Sequence, residues 1–268
     1  MILHVLHIGN TAGIGSVLAK YQKKFFKWKT DVLVRKELDK FNITTYGTYI
    51  YGGRTSFYIC VLRMFRKYDI VHIHSLDKLV PLLKIIDPRK KIVLHYHGSD
   101  IRGKWHIRKK YWKYADKILV ATPDLLKDAP PSTSYLPNPV DTELFMPLPG
   151  LKSRRTALFI YGKHEKFVKS IEWAKELARK YSLKLYIHNR DENPIPYRRM
   201  PYLLNRFEYF IDHRFVPALS LTALEALACG LKVFRWDGKI IDKLPEEHLP
   251  LNVIKRLWNI YREILEDY

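Results

Sequence analysis

The chain has little cysteine, comparatively few acidic residues and no long apolar run. Its 268 residues include two cysteines, Cys60 and Cys229, both in apolar surroundings, which argues against a disulfide framework and against a zinc site. No apolar stretch reaches the length of a membrane-spanning helix. The first eight residues lack the basic leader and small-residue cleavage site of a signal peptide and are typical of a strand, so we expect a cytoplasmic protein.

The shortage of acidic residues leaves a strong positive charge. The sequence carries 47 lysines and arginines against 27 aspartates and glutamates, a formal net charge of +20 with an isoelectric point of about 9.8. Such a surface attracts polyanions or anionic membranes. Basic residues are concentrated in 20–29, 102–113 and 152–155. The first two clusters interleave aromatics with cations, which suits a membrane-surface helix or a nucleic-acid patch, and a solvated lysine-rich surface also accounts for them.

Short apolar runs alternate with helical patterns through the first half of the chain. This alternation predicts βαβ units and a parallel sheet. Residues 71–74 alternate with period two, and this alone would make His72 and His74 half-buried strand residues. The predicted strands are 2–8, 31–34, 70–74, 91–97 and 117–122, and the predicted helices are 15–28, 56–67, 78–86 and 104–114.

A proline-rich segment, 129–150, indicates an extended linker or hinge. The alternation restarts after it, so we predict an α/β protein of two domains, 1–149 and 150–268. Ligands of such folds bind at the carboxyl ends of the strands, which here face a cleft. The second half has predicted strands at 155–161, 184–189, 207–212 and 232–236 and predicted helices at 166–181, 198–205, 219–229 and 251–268, the last with an apolar stripe of Val253, Leu257, Ile260 and Ile264.

Three glycines follow the first predicted strand and open the first predicted helix. Gly9, Gly13 and Gly15 permit a tight turn and a close approach of the backbone to an anion. The motif is neither G-x-G-x-x-G nor a Walker A loop, because the spacing differs and the Lys-Ser/Thr end is missing. A plain strand-to-helix turn explains the same residues.

Polar residues follow two further predicted strands. His97 ends a strand, where a neutral imidazole can hydrogen-bond a substrate hydroxyl or phosphate. Asp100 either shares that role or caps the helix that follows. Lys163 and Lys166 follow the first strand of the second half, where two ammonium groups can neutralise a diphosphate leaving group. A basic loop is the alternative in so basic a chain.

The most informative stretch is 220–230, a short Ala/Leu-rich helix with Thr222 and Glu225 on one side. The helix should end at Gly230 in the left-handed conformation. Its small-residue start leaves backbone N–H groups for a phosphate, and a carboxylate one turn further in can bind a ribose diol. A buried helix with a solvated glutamate explains these residues equally well.

Taken in order, these motifs resemble family-4 retaining glycosyltransferases of the GT-B fold over nearly the whole chain. Residues 97–100, His-Gly-Ser-Asp, are similar to the family's His-Gly-x-Asp element, and 137–145 are similar to its Pro-Asn-Gly-Val-Asp hinge. Residues 162–166 look like its Gly-Arg…Glu-Lys-Gly loop. Residues 224–230, Leu-Glu-Ala-Leu-Ala-Cys-Gly, closely match its Leu-Glu-Ala-Met-Ala-Cys-Gly.

The resemblance implies two Rossmann-like domains that face a cleft holding a nucleoside-diphosphate sugar, with a C-terminal helix that crosses back to the first domain. By the same resemblance, Glu225 would hold the nucleotide ribose. The backbone N–H groups of Leu221 and Thr222, together with Gly15, would meet the diphosphate.

The resemblance also assigns the chemistry. Lys163 and Lys166 would stabilise the departing phosphate, and His97 would contact the transferred sugar. No metal or other cofactor is implied, because the lysines and the helix dipole supply the positive charge. The residues that would lie near the sugar or the acceptor are Gly13, Ser16 and Asp100.

Several positions depart from the family pattern. Pro217 occupies the place of the first glutamate in the family's Glu-x7-Glu, which usually contacts the donor sugar, and Asp212 or His213 are nearby substitutes. Lys163 replaces an arginine and loses its bidentate geometry while keeping its charge. The late donor loop has a single glycine, Gly238, and the chain is shorter than typical members.

The resemblance therefore implies a transferase that moves a sugar from a nucleoside-diphosphate donor to a hydroxyl acceptor, either a glycan or a lipid-linked group at an anionic membrane surface. Two alternatives stay open. The change at Pro217 suggests a nucleotide-sugar-binding protein without transfer, and the charge of +20 suggests a nucleic-acid-binding protein, although no recognised nucleic-acid motif supports the latter.

Overall fold

The computed structural model describes residues 2–162 and 165–266, and for 165–168 it describes the backbone alone. The strands are β1 (His4–Ile8), β2 (Lys29–Arg35), β3 (Thr48–Ile50), β4 (Ile70–His74), β5 (Lys91–Tyr96), β6 (Lys117–Val120), β7 (Thr133–Tyr135), β8 (Ser153–Tyr161), β9 (Lys184–Asn189), β10 (Phe207–Ile211), β11 (Lys232–Phe234) and β12 (Ile240–Ile241). The helices are α1 (Ile14–Phe26), α2 (Gly53–Met64), α3 (Leu79–Ile86), α4 (Trp105–Trp112), α5 (Glu165–Lys180), α6 (Met200–Leu204), α7 (Leu221–Ala228) and α8 (Pro250–Glu266).

The chain forms two compact units, Met1–Pro139 with Pro250–Tyr268, and Val140–Leu249. Helix α8 therefore belongs to the first unit, as the resemblance implied for the tail. The predicted boundary at 149/150 differs from this division, because the residues after Pro139 pack into the second unit. The Val140 N–H donates to the His248 carbonyl at 3.1 Å, and the Phe145 ring meets Tyr197 edge to face.

The first unit is built on a seven-stranded parallel sheet of order β3-β2-β1-β4-β5-β6-β7. One face carries alternate apolar residues of β1, β4 and β5, which form a single core with α2, α3 and α4. The opposite face carries histidines that contact α1 and α8. The order of connection reverses between β1 and β4, which is the point where ligands bind in open α/β sheets.

The proline-rich segment is more ordered than a linker. Residues 133–135 of the predicted linker form β7, the edge strand that pairs with β6. Leu136 and Val140 are buried beyond it. The prolines are compatible with this arrangement because they flank β7, at 130, 131, 137 and 139, and none lies within its ladder.

The second unit has a five-stranded sheet of order β12-β11-β10-β8-β9. The strands are parallel except for the pair β11–β12. Helix α5 packs on one face through Ala174 and Leu177, against Phe159, Ile211 and Phe234. The connection order reverses between β8 and β10, so the loops after these two strands flank the expected ligand position of this unit.

The predicted end of α7 and the predicted apolar stripe of α8 are both confirmed. Helix α7 ends before Gly230, which has φ +76°, and the N–H groups of Gly230 and Leu231 close the end by donating to Leu227 and Ala226. Helix α8 buries its predicted stripe of Val253, Leu257, Ile260 and Ile264. Among the described residues, no helix is both long enough and apolar enough to cross a membrane.

Candidate functional site

The start of α7 lies where the sheet of the second unit predicts a ligand. Asp212 follows β10 and is buried, and its Oδ2 accepts the N–H of Ser220 at 2.9 Å. Ser220 is the N-cap of α7, and its hydroxyl accepts the N–H of Ala223 at 3.1 Å. Leu221 and Thr222 occupy the first two helical positions, whose N–H groups have no partner inside a helix. The bonds of Asp212 to Ser220 and of Ser220 to Ala223 fix the start of the helix on both sides of these two N–H groups. Such a pair of N–H groups can bind an anion.

Glu225 lies one turn further along α7 and is 3% exposed. Its Oε1 accepts the hydroxyl of Tyr197 at 2.6 Å. Burial raises the pKa of Glu225 to about 8, although the Tyr197 hydrogen bond opposes this rise. The solvated glutamate of the alternative interpretation is therefore not observed. A protonated carboxyl near neutral pH is costly to ionise here, and ligand hydroxyls that donate to it would lower that cost.

The remaining residues predicted for the donor are only partly described. Lys163 lies outside the described residues, and Lys166 is described as a backbone position in the first turn of α5. Gly162, which follows β8, is buried, and a Cβ there would lie 2.9 Å from Asp191 Oδ2. The loop after β8 and the loop before α7 come from neighbouring strands, so the topology brings both to one edge of the sheet.

Both carboxylate oxygens of Asp212 accept backbone N–H groups of the loop that follows it. Its Oδ1 accepts the N–H of His213 at 2.9 Å while Oδ2 accepts that of Ser220. Burial raises the pKa of Asp212, and its backbone hydrogen bonds oppose the rise. The His213 ring stacks on Phe215 with centroids 4.2 Å apart. A substitute for the glutamate missing at Pro217 is thus not evident in these contacts.

The glycine-rich loop of the first unit is tightly built. A Cβ on Gly15 would lie 2.8 Å from the Gly9 carbonyl oxygen, so only glycine fits this position. Gly13 precedes α1 with φ +79°. Ser16 is buried, and its hydroxyl donates to the Tyr46 carbonyl at 2.6 Å while accepting from Asn10. The Ser16 side chain therefore fixes the loop instead of reaching outward.

Asp100 organises the turn that carries His97. Its Oδ1 accepts the N–H of Gly98 at 2.7 Å, and Oδ2 accepts the N–H of His97 at 2.9 Å and the hydroxyl of Ser75 at 2.6 Å. The alternative prediction of a helix cap is wrong, because α4 begins after Lys104 without a side-chain cap. The hydrogen bonds that Asp100 accepts come from residues that precede it in the chain, not from the helix that follows.

Five histidines cluster on the α1/α8 face of the first unit's sheet. His72 and His74 were predicted to be half-buried, yet both are fully buried, because α1 and α8 cover this face. Burial lowers the pKa of His7 and of His97 to about 4, and it lowers the pKa of the other three well below 6.5. The cluster consists of His7, His72, His74, His95 and His97.

The same cluster contains the groups among the described residues whose spacing could hold a metal ion. One triad is His7, His72 and His74, and the other is His74, His95 and His97, each with one nitrogen per ring within 4.8 Å of the others. One hydrogen bond of 3.0 Å links two rings within each triad, and a bond of 3.3 Å joins His72 of the first triad to His95 of the second. Imidazole is a good ligand of zinc and copper, so a metal would compete with these bonds.

Three residues that contact the site were not identified from the sequence. Tyr197 pairs with Glu225, while Gln22 and Tyr261 contact the histidine cluster. Tyr197 comes just before a predicted helix, and the other two lie inside predicted helices. No motif marks any of them, and their partners are distant in the chain.

Comparison with known proteins identifies the architecture. No protein-family model matches the sequence, and no curated protein matches it. Among solved structures, the chain is similar to the catalytic domain of starch synthase IV from Arabidopsis thaliana bound to ADP and acarbose (TM-score 0.60, 13% identity, covering 100% of this chain and 93% of that one). It is also similar to sucrose-phosphate synthase from Thermosynechococcus elongatus (0.57, 12%, 97% and 90%).

A third similar structure is that of an enzyme with a different reaction. It is the UDP-GlcNAc 2-epimerase from Neisseria meningitidis bound to UDP-GlcNAc (TM-score 0.52, 13% identity, covering 98% of this chain and 94% of that one). Identities this low establish shape and not activity. The sheets of the two units and these matches show that the chain has the GT-B fold, with two Rossmann-like domains.

Proposed function

We propose that this protein is a glycosyltransferase that moves a sugar from a nucleoside-diphosphate donor to a hydroxyl acceptor. The observation that carries the proposal is the start of α7, where two N–H groups held by Asp212 and Ser220 stand one turn from the buried Glu225. This combination matches the charges and hydroxyls of a nucleotide. The solved structures with ADP and with UDP-GlcNAc have the same fold and support this class of ligand.

The donor would bind with its diphosphate against the N–H groups of Leu221 and Thr222. The ribose diol would donate to the carboxylate of Glu225, and the positive end of the α7 dipole would favour the phosphate charge. The hydroxyl of Tyr197 would remain as a second donor to Glu225 and keep the carboxylate oriented. The nucleotide base and the sugar stay open.

Transfer would break the bond between the anomeric carbon and the diphosphate oxygen and form a bond from that carbon to the acceptor oxygen. The acceptor proton would leave to the departing diphosphate. Lys163 and Lys166 would neutralise the charge that develops on the leaving group, so no metal is needed for this step. Retention of configuration is proposed from the resemblance to family 4.

A basic groove on the first unit fits an acceptor at an anionic surface. The groove has a volume of about 750 Å³ and lies beside α1 and the start of β2. Among its lining residues are Lys20, Lys23, Lys24, Lys27 and Lys29. The exposed ring of Phe25 lies on the same helix. Lysines interleaved with aromatics are typical of helices that lie on anionic lipid surfaces.

Replacement of Lys166 or Glu225 by alanine should reduce donor turnover at least about 100-fold, because each removes a group that stabilises the leaving group or holds the ribose. Release of nucleoside diphosphate from the donor measures the effect. Lys169→Ala is the matched control, because Lys169 is an exposed lysine one turn further along α5. Wild-type turnover in both Lys166→Ala and Glu225→Ala would contradict the site.

Charge reversal at Lys23 and Lys24 should weaken cosedimentation with anionic phosphatidylglycerol vesicles by more than about tenfold at low salt, since each lysine near such a surface contributes about 1 kcal/mol. The control Lys239→Glu/Lys243→Glu changes the charge equally at exposed positions of the second unit. Equal loss in both double variants would mean that net charge alone drives binding. No binding by the wild type at low salt would remove the membrane proposal.

A second candidate is a nucleotide-sugar-binding protein without transferase activity. Pro217 replaces the expected carboxylate, and both oxygens of Asp212 are engaged with backbone. Donor binding without transfer or hydrolysis across many acceptors would favour this candidate over the transferase.

A further inference from the structure

Four buried histidines and the half-buried His97 form two hydrogen-bonded chains. His7 lies opposite His72 in the pairing of β1 with β4, and His74 lies opposite His95 in the pairing of β4 with β5. Their rings share one face of the sheet, and His97 follows immediately after β5. Neighbouring rings stack or tilt with centroids 4.2–5.6 Å apart.

The first chain begins at Gln22 on α1. Its Oε1 is 2.8 Å from His7 Nε2, His7 Nδ1 is 3.0 Å from His74 Nε2, and His74 Nδ1 is 3.0 Å from His97 Nε2. An amide oxygen only accepts, so His7 must carry its proton on Nε2. A neutral imidazole has one donor and one acceptor, so the same assignment passes to His74 and then to His97. His97 Nδ1 is left as an acceptor.

The second chain begins at the same amide. Gln22 Nε2 donates to the Tyr261 hydroxyl at 3.4 Å, which leaves the hydroxyl proton available for His72 Nδ1 at 2.6 Å, the direction we assign. His72 Nε2 then donates to His95 Nδ1 at 3.3 Å. His95 therefore keeps a proton on Nε2 as a free donor. Both chains put every ring in the Nε2–H tautomer.

The two chains end at complementary atoms. His97 Nδ1 and His95 Nε2 are buried and have no hydrogen-bond partner of normal geometry among the described residues. Asn138 is the competing partner, because its side chain hydrogen-bonds that of His97 and favours the protonated form, as does Asp100. An Asn138 Oδ1 that accepted from His97 Nδ1 would make that ring Nδ1–H. The His95 and His97 rings are in contact, with centroids 4.2 Å apart. A buried polar atom without a partner calls for an explanation, and a bound water or ligand group is one.

We propose that Gln22 and Tyr261 hold all five imidazoles in the Nε2–H tautomer, so that His97 Nδ1 as acceptor and His95 Nε2 as donor together bind one hydroxyl group. A hydroxyl is the smallest group that both donates and accepts. It is supplied either by a buried water or by a hydroxyl of the substrate, and the second source rests on the proposed function. Gln22 is then a positioning residue for His97, acting through two intervening rings.

The test is the tautomeric state of the histidines in the full chain. Protein labelled with ¹⁵N in its histidine rings is observed at pH 7.5 by long-range ¹H–¹⁵N correlation, which distinguishes Nδ1–H from Nε2–H. We expect all five rings of the cluster to be Nε2–H. An Nδ1–H ring at His97, or mixed tautomers in the wild type, would overturn the proposal, as would tight binding of one Zn²⁺ that displaces the ring protons.

Two variants test whether Gln22 and Tyr261 set the tautomers of the histidines. Tyr261→Phe removes the donor to His72 and should leave His72 and His95 with mixed tautomers while His7, His74 and His97 keep theirs. Gln22→Met removes both the amide oxygen that accepts from His7 and the amide nitrogen that donates to Tyr261. The rings of both chains should then show mixed tautomers. Circular dichroism confirms that each variant is folded. Unchanged tautomers in folded Gln22→Met would show that Gln22 does not set them.

Ligand addition separates the two hydroxyl sources. Nucleoside-diphosphate hexoses should move the His97 Nδ1 resonance if a sugar hydroxyl binds, while the matching nucleoside diphosphates should not. If neither moves it, exchange between water and the His95 Nε2 proton identifies a bound water and the subsite stands. If the sugar conjugates leave the His97 Nδ1 resonance unmoved and no such exchange with water is seen, the proposed subsite is overturned. The tautomers are measured in the free protein, so their assignment along the two hydrogen-bonded chains can be confirmed even if the proposed transferase activity fails.

Discussion

Acidification from pH 7 to about pH 4.5 should unfold the first unit in a steep transition. The cause is the buried histidine cluster, whose five rings are neutral in the folded protein because burial lowers each pKa. In the unfolded chain the same rings protonate near pH 6.5. Between these values the unfolded chain binds more protons than the folded one, so the free energy of unfolding falls as the pH falls.

The size of the effect follows from the number of rings. Each proton that only the unfolded chain binds changes the free energy of unfolding by about 1.4 kcal/mol per pH unit, so five give about 7 kcal/mol per unit. Typical domains are stable by about 5–15 kcal/mol, which a drop of one to two pH units removes. Asp100 and Asn138 oppose the trend at His97 by favouring its protonated form.

Tryptophan fluorescence is a suitable measurement, because four of the six tryptophans, Trp28, Trp105, Trp112 and Trp258, belong to the first unit. Urea unfolding at a series of pH values gives the proton uptake. His72→Gln should lower the slope by about one proton whatever its effect on overall stability, and His106→Gln, at an exposed position of α4, is the matched control. A unit that stays folded to pH 4 would contradict this prediction.

Local signals in the sequence predicted α7, which begins at the proposed nucleotide site, and α8. The Gly230 end of α7, the small-residue start of the same helix and the stripe on α8 depend on neighbours within a few residues, and all three are observed. The edge strands β3, β7 and β12 were missed, since two or three residues give no period to detect. Their formation depends on the strand alongside.

Contacts between distant residues could not be predicted from the sequence. Gln22 and Tyr261 are 239 residues apart, yet they meet above the histidine cluster. His72 and His74 alternate like strand residues with one solvated face, and nothing local shows that α1 and α8 bury that face. The role of Asp100 was ambiguous for the same reason, because its partner Ser75 lies on the preceding strand's loop.

The affinity for a nucleoside diphosphate should rise with pH. Glu225 has a pKa of about 8 in the free protein because it is buried. Ribose hydroxyls that donate to both of its oxygens would favour the ionised form and lower the pKa in the complex. Binding then releases a proton, and the dissociation constant should fall by up to about tenfold per pH unit below pH 8 and level off above it.

Variants of two residues make this pH dependence specific. Glu225→Ala should bind weakly and show no such dependence. Tyr197→Phe removes the hydrogen bond that opposes the rise in the Glu225 pKa, so it should move the midpoint of the affinity profile to higher pH. Calorimetric titration from pH 6.5 to 9 measures both. A flat profile for the wild type would contradict a Glu225 carboxylate that holds the ribose.

The central claim, a nucleotide-sugar site at the start of α7, is tested most directly by thermal unfolding with a panel of nucleotides. UDP, GDP, ADP, CDP and their common sugar conjugates are compared at pH 8.5 with and without Mg²⁺, for the wild type and Glu225→Ala. A ligand that binds only the folded protein raises its melting temperature. We predict a rise with one nucleotide series, independent of Mg²⁺ and lost in Glu225→Ala. The absence of any rise, or an equal rise in Glu225→Ala, would contradict the claim.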